Sequence, residues 1–311
     1  MKIGILTFHN SPSHGAFLQA YAFSIYLKSL GHDVEVIDYM PDYRKERINK
    51  VLGRSWSWKH FGMNRGNLKM NTLIGMINKK AWYKEQKHYL PLFNRRYNNL
   101  FELKNDPPNL DVCFLGSDQI WNIENTGGQY DGAYFGDFGS SKMLRIAYAA
   151  SFGKKNFQGD TEQLKHYLSL IDRISVREKS AVKIIQSISP IKAEHVVDPT
   201  FLITQNEYPQ TPIKIPPKEY LLVYLISQNP EALNIANSIS KKLKIPIINA
   251  NSIKYSLKHP LRLTPGQWIS IFRSARYIVT DSFHGIASVS YTHLRAHETV
   301  LDLVCRLLLE K

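Results

Sequence analysis

The amino-acid sequence predicts an α/β protein with two Rossmann-like lobes, of which the second is incomplete. Two observations predict this class: strand-like and helix-like segments alternate along the chain, and the alternation starts again after a proline-rich stretch. The length of 311 residues exceeds the roughly 100–200 residues of a typical single domain. With 43% hydrophobic residues, the chain has enough apolar side chains for two cores.

The first lobe is expected to span residues 1–205. The apolar run Lys2–Thr7 predicts a buried strand, helical spacing follows from Ala16 to Leu30, and Val34–Tyr39 predicts a second strand. This β-α-β unit is half of a Rossmann-like sheet. Further strands are predicted at Asp111–Leu115, Leu144–Ala150, Arg173–Val176 and His195–Val197, with helices at Thr161–Ile171 and Glu178–Ile188.

A basic helical insertion is predicted at about 44–104. Helices are expected over Leu73–Ile77 and Trp82–Phe101, with an inward stripe of aromatic side chains in the second. The segment from Arg44 to Lys104 holds fifteen Lys or Arg and three acids. This excess of twelve positive charges is most of the chain's net charge of +14. Such a field attracts phosphates, acidic glycans, nucleic acid or a membrane surface. A solvated face of surface helices explains the same pattern.

The second lobe is expected at 218–289, after a proline-rich linker at 206–217. Strands are predicted at Tyr220–Ile226, Pro246–Asn249 and Tyr277–Thr280, fewer than the five or six of a complete doubly wound domain. The tail at 290–311 resembles the stereotyped end of unrelated reading frames in which adapter sequence has been translated, so we expect it not to be native. An amphipathic terminal helix is the alternative.

Cysteine content and hydropathy predict a cytoplasmic protein. The two cysteines, Cys113 and Cys305, form no disulfide framework, which indicates a reducing compartment. The amino terminus turns polar too soon for a leader segment, and no run reaches the roughly 20 apolar residues of a membrane helix.

In the first lobe, two loops at the ends of predicted strands carry polar residues that are candidates for ligand binding. Open α/β sheets bind ligands at such strand ends. The loop from His9 to Gly15 precedes a helix, so Asn10 and Gly15 are candidates for holding an anion. It lacks the glycine fingerprint of dinucleotide sites. The loop from Gly116 to Asn122 offers three candidates, and the alternative for its aspartate is a helix cap. These candidates are Ser117, Asp118 and Gln119.

Two further loops supply a cation and a histidine. Arg177 ends a strand, and its planar guanidinium suits a carboxylate or phosphate. An ion pair with Glu178 or Asp198 is the alternative. After the strand Tyr277–Thr280, Ser282 and His284 stand in a polar cluster. A histidine there can contact an anion or move a proton, whereas a satisfied core histidine is the alternative.

Taken together, these loops resemble the polysaccharide pyruvyl transferase family from Met1 to about Val289. The order and spacing of the motifs carry the resemblance. The motifs are Lys2–Phe8 with Gly15–Ala22, Gly116–Asn122, Tyr148–Gly153, Ile174–Glu178, Val197–Thr200 and Thr280–Gly285.

The resemblance implies a transferase that moves the enolpyruvyl group of phosphoenolpyruvate onto sugar hydroxyls, forming a pyruvate ketal and releasing phosphate in cell-surface or exopolysaccharide biosynthesis. It implies two facing lobes like those of GT-B glycosyltransferases, with the donor in the cleft. The acceptor is then a glycan or a lipid-linked sugar. The resemblance implies that the protein uses no metal or other cofactor and binds no nucleic acid. After Val289 the sequence departs from the family pattern, which puts catalytic competence in question.

Roles follow from the chemistry of such a donor, which carries a carboxylate and a phosphate close together. Arg177 is expected to clamp the donor, His284 to act as acid or phosphate ligand, and Asp118 as base. Two alternatives stay open: a GT-B glycosyltransferase that uses a nucleotide sugar, and a non-catalytic binder of polyanions that works through the basic segment.

Overall fold

The computed structural model describes a mixed α/β chain. The described residues are 1–11, 13–46, 80–154, 156–157, 159–213, 219–227, 229–250, 253–254, 260–261, 263–292, 297–299 and 304–306. Contacts divide the chain into two compact units, one of residues 1–57 and 87–202, the other of residues 58–86 and 203–311. The helix expected at Leu73–Ile77 and most of the 290–311 tail lie outside the described residues.

The first unit is built on a seven-stranded, all-parallel sheet with the order β3-β2-β1-β4-β5-β6-β7. This is the α/β class that the sequence predicts. The strands are β1 (Lys2–Leu6), β2 (Asp33–Tyr39), β3 (Leu92–Tyr97), β4 (Val112–Leu115), β5 (Leu144–Ala150), β6 (Arg173–Val176) and β7 (Ala193–His195). The helices of this unit include α1 (His14–Ser29), α2 (Leu100–Asn105), α3 (Thr161–Leu168) and α4 (Lys179–Ile188).

Both faces of this sheet are covered, as a parallel sheet requires. Alternate side chains of β1 and β2 point to opposite faces, because successive residues of a strand do so. Ile3, Ile5 and Val36 pack with Phe23 and Leu27 of α1 on one face. The other face holds the larger core, in which Leu6 and Ile37 join aromatic side chains that follow β4.

The predicted helix over Trp82–Phe101 is wrong in its second half. Residues 80–89 are helical, but Leu92–Tyr97 form β3 and pair in parallel with β2. Pro91 explains the break, because proline has no N–H and disfavours the helical conformation of the residue before it. The aromatic stripe also fails at its end, since Phe101 is 72% exposed.

The second unit contains a three-stranded parallel sheet with the order β12-β8-β9. Leu221 and Val223 of β8 and Val279 of β12 pack with two alanines of the helix that follows β8. The unit's elements are β8 (Leu221–Tyr224), α5 (Pro230–Leu243), β9 (Ile247–Asn249), β10 (Ile253–Lys254), β11 (Pro260–Leu261), α6 (Pro265–Ser274), β12 (Tyr277–Thr280), α7 (Phe283–Thr292), β13 (His297–Thr299) and β14 (Val304–Arg306).

Candidate active site

The order in which strands are added to the first sheet reverses between β1 and β4: β2 and β3 extend it on one side of β1, and β4 to β7 extend it on the other. Parallel sheets bind ligands at such a switch point, beyond the carboxyl ends of the strands. The two loops at this point are tied together, because Thr7 Oγ1 donates to the carbonyl oxygen of Ser117 at 2.9 Å. Gln19 of α1 donates to the same hydroxyl at 3.0 Å. The loops after β1 and β4, which the sequence singles out, therefore lie side by side.

At the ends of β4 and β5 the backbone adopts positive φ angles, which residues other than glycine rarely adopt. Gly116 has φ +110°, and a Cβ placed there would lie 2.8 Å from the carbonyl oxygen of Tyr148. Asp118 and Ala149 also have positive φ, 69° and 51°. Non-glycine residues in this region are uncommon and concentrate at functional sites. The local geometry thus favours this edge of the sheet as the site.

Asp198 organises the polar groups at this edge. Its carboxylate is buried, and one oxygen, Oδ2, accepts from Ser117 Oγ at 2.8 Å and from Arg177 Nη1 at 3.0 Å. The other oxygen accepts from the backbone N–H and the hydroxyl of Thr200. Ser117 is fully buried and orients the carboxylate that holds Arg177.

Arg177 lies between two carboxylates. Besides Asp198, its Nε contacts Glu178 Oε1 at 3.1 Å, so both ion pairs that the sequence left open as alternatives are present. Burial opposes the charged guanidinium, but the negative charges of Asp198, Asp118 and Glu178 outweigh it and raise the pKa of Arg177. With 9% of its side chain exposed, the guanidinium is a fixed, permanent cation.

Asp118 is half-buried beside this cluster. Its Oδ1 accepts from the backbone N–H of Gln119 at 2.8 Å. The alternative of a helix cap is wrong, since the next helical turn, Ile123–Asn125, is capped by Asn122. The side-chain oxygen of Gln119, Oε1, accepts from the side-chain amides of Asn122 and Asn125, at 3.0 and 3.1 Å.

The loop after β1 is anchored by a carboxylate that the sequence reasoning missed. Asp38, in β2, accepts from Asn10 Nδ2 at 3.1 Å and from Arg96 Nε at 2.8 Å, and lies 3.2 Å from His9 Nε2. Burial alone would raise the pKa of Asp38, but the hydrogen bonds and charges of His9 and Arg96 lower it. Asn10 is thus buried in this network, and Gly15 is buried in the first turn of α1.

Arg44 is a second residue that the sequence reasoning missed at this edge. Its guanidinium carbon lies 3.8 Å from the ring centre of Phe8, which follows β1. Nη2 donates to Ser11 Oγ at 2.8 Å. The sequence counted Arg44 only as one of many cations in the basic segment, whereas the structure buries it to 4% exposure.

In the second unit, Ser282 and His284 stand at the junction of β12 and α7. Ser282 is buried, and its hydroxyl accepts from the backbone N–H of Gly285 as a helix cap does. Asp281 accepts from the backbone of Ile226 and Ser227, which joins the ends of β12 and β8. The ring of His284 is half-buried and lies 5.1 Å from that of Phe283. Its convergence with Arg177 on one donor stays a prediction.

Two other kinds of site are absent from the described residues, a membrane span and a metal centre. Among the described residues, no helix is long and apolar enough to cross a bilayer. Within the same part of the chain, no group of three or more His, Cys, Asp or Glu is arranged to hold a metal ion.

Comparison with known proteins adds one match. A family model described as polysaccharide pyruvyl transferase matches residues 14–288. The matched range includes the loop after β4, the Arg177 cluster and the junction of β12 and α7. No curated protein matches the chain.

Proposed function

Because the chain belongs to the polysaccharide pyruvyl transferase family, we propose that it transfers the enolpyruvyl group of phosphoenolpyruvate to a sugar acceptor. Two hydroxyls of the acceptor add to the central carbon of the donor, and the methylene carbon gains a proton to become a methyl group. The bond from the central carbon to the phosphate oxygen breaks, and phosphate leaves. Of the two protons that the hydroxyls lose, one balances the proton gained by the methylene carbon and the other leaves with the phosphate. The product is a pyruvate ketal on a glycan or lipid-linked sugar.

The observation that carries the proposal is the fixed guanidinium of Arg177 beside the switch point of the sheet. Asp198 holds it from the buried side, and Glu178, whose side chain is 36% exposed, holds it from the open side. We infer that the donor's carboxylate or phosphate displaces Glu178 and leaves the Asp198 pair intact. A planar guanidinium then binds the donor with paired hydrogen bonds.

The proton transfers need an acid and a base. Asp118 is the proposed base, because its half-buried carboxylate lies near Arg177, the proposed ligand of the donor. His284 is the proposed acid or phosphate ligand, in the first turn of α7. Ser117, Gln119, Asn10, Gly15 and Ser282 complete the proposed substrate-binding set. Most of them are buried, and they act by shaping the loops.

Replacement of Arg177 tests the donor site. We expect Arg177→Ala to weaken phosphoenolpyruvate binding at least tenfold, because charge-assisted hydrogen bonds are lost. Titration calorimetry with phosphoenolpyruvate measures this loss. Arg173→Ala is the matched control, since Arg173 is an exposed arginine at the opposite end of the same strand, β6.

Replacement of His284 tests the chemistry. We expect His284→Ala to lower the rate of phosphate release from phosphoenolpyruvate, measured with a panel of glycan acceptors, more than it lowers donor affinity. If Arg177→Ala does not fold, Arg177→Lys, which keeps the charge, replaces it in the binding experiment. Negligible effects of both alanine substitutions would remove the site assignment. A melting temperature raised by sugar nucleotides and unmoved by phosphoenolpyruvate would favour the glycosyltransferase alternative.

A further inference from the structure

Arg44 is a buried cation that pairs with no carboxylate in the described part of the chain. Among the described residues, no Asp or Glu lies within ion-pair distance of its guanidinium, and the sequence from 47 to 79 contains neither residue type. Asp42, two positions earlier, pairs with Lys45 instead. A buried charge is costly to leave uncompensated. Arg44 therefore differs from Arg177, which two carboxylates neutralise.

The protein groups around Arg44 compensate only part of this cost. Nη2 donates to Ser11 Oγ, and the face of Phe8 attracts the cation. An arginine has five N–H donors, and within the described chain Ser11 provides the one acceptor that these donors reach. The remaining donors can bind oxygen atoms of a ligand.

The amino end of α1 adds positive potential at the same place. Ser11 lies two residues before Ser13, the cap of this sixteen-residue helix. A helix carries partial positive charge at its amino end, with N–H groups that no carbonyl of the helix can accept. The first turn contains no acidic side chain to balance this charge. Two positive features side by side favour an anion between them.

We propose that Arg44, Ser11 and the amino end of α1 form a binding site for a phosphate-type oxyanion, in addition to the Arg177 cluster. The site lies at the switch point of the sheet, where ligands of such folds bind. It does not rest on the transfer chemistry proposed above. The phosphate can belong to the donor or to a diphosphate-linked acceptor, since both present the same oxygens.

Titration with inorganic phosphate at constant ionic strength tests the site. We expect Arg44→Met to weaken phosphate binding about tenfold, since a charge-assisted pair is lost while a long side chain still covers Phe8. Lys45→Met is the matched control: it removes the same charge one residue away, from an exposed side chain, and should change affinity less than about twofold. Equal losses in both variants, or none in Arg44→Met, would overturn the site.

The same variants distinguish the source of the phosphate. If the donor occupies the site, phosphoenolpyruvate displaces inorganic phosphate and binds Arg44→Met more weakly. If an acceptor occupies it, uridine diphosphate or farnesyl diphosphate shows that loss and phosphoenolpyruvate does not. Should Arg44→Met fail to fold, Ser11→Ala should weaken phosphate binding in its place. An unchanged melting temperature of the unaltered protein on exchange of chloride for phosphate would also contradict the proposal.

Discussion

At the level of single residues, Asp38 joins parts of the chain that are distant in sequence. His9 and Asn10 follow β1, Arg96 lies in β3, and all three contact the carboxylate of Asp38 in β2. Because these partners lower the pKa of Asp38, its charged form stabilises the folded protein. The stabilisation is present above the ordinary aspartate pKa of about 4 and is lost as the pH falls toward the lower pKa of the folded state.

Asp38→Asn should therefore destabilise the protein at pH 7, and the difference from the unaltered protein should shrink below about pH 4. Each unit by which the folded pKa is lowered corresponds to about 1.4 kcal/mol at neutral pH. Thermal unfolding at several pH values measures the effect. Asp33→Asn, at the exposed start of the same strand, is the control. A pH-independent difference would contradict this role of Asp38.

The site residues show which contacts a sequence can predict. The pairing of Arg177 with Glu178 or Asp198 was foreseeable as an alternative, because the motifs place these acids next to the arginine or at the end of a neighbouring strand. The Asp38 network and the burial of Arg44 were not foreseeable. They depend on β2 lying between β1 and β3, which local patterns do not specify.

At the level of elements, most strands follow the predicted pattern because apolar runs mark buried parallel strands. Residues 144–150 and 173–176 form strands over the predicted ranges. The pattern does not predict β3, because its charged, half-exposed sequence lacks such a run. Pairing with β2 determines its conformation, and Pro91 was the available signal against a long helix.

The end of β4 offers a test of how tightly this edge is built. Gly116→Ala should cost about 2–3 kcal/mol of unfolding free energy, because it combines a disfavoured positive φ with a collision against the Tyr148 carbonyl oxygen. Gly128→Ala is the matched control: Gly128 has φ +92° with nothing within 4 Å, so it should cost about 1 kcal/mol. Urea unfolding measures both, and equal costs would argue against the close approach.

At the level of the whole molecule, the net charge of +14 predicts attraction to anionic surfaces that salt screens. If the basic segment is responsible, Lys80, Lys84 and Lys87 changed together to Gln should lower the salt concentration that elutes the protein from heparin. Lys241, Lys242 and Lys244 changed to Gln form the control, because they remove equal charge from exposed positions at the carboxyl end of α5, outside the basic segment. Equal shifts would show that total charge alone determines retention.

The described sheet of the first unit ends at β3, and this rim carries exposed Asn94, Arg95 and Arg96. Both guanidinium groups pair with carboxylates, Arg95 with the exposed Asp106 and Arg96 with the buried Asp38. A second copy of the chain that tried to extend the sheet would have to dock against these charged side chains, which is the way natural proteins discourage filament growth. Through Arg96, we expect the network that anchors the loop after β1 also to disfavour pairing of this edge with a second copy.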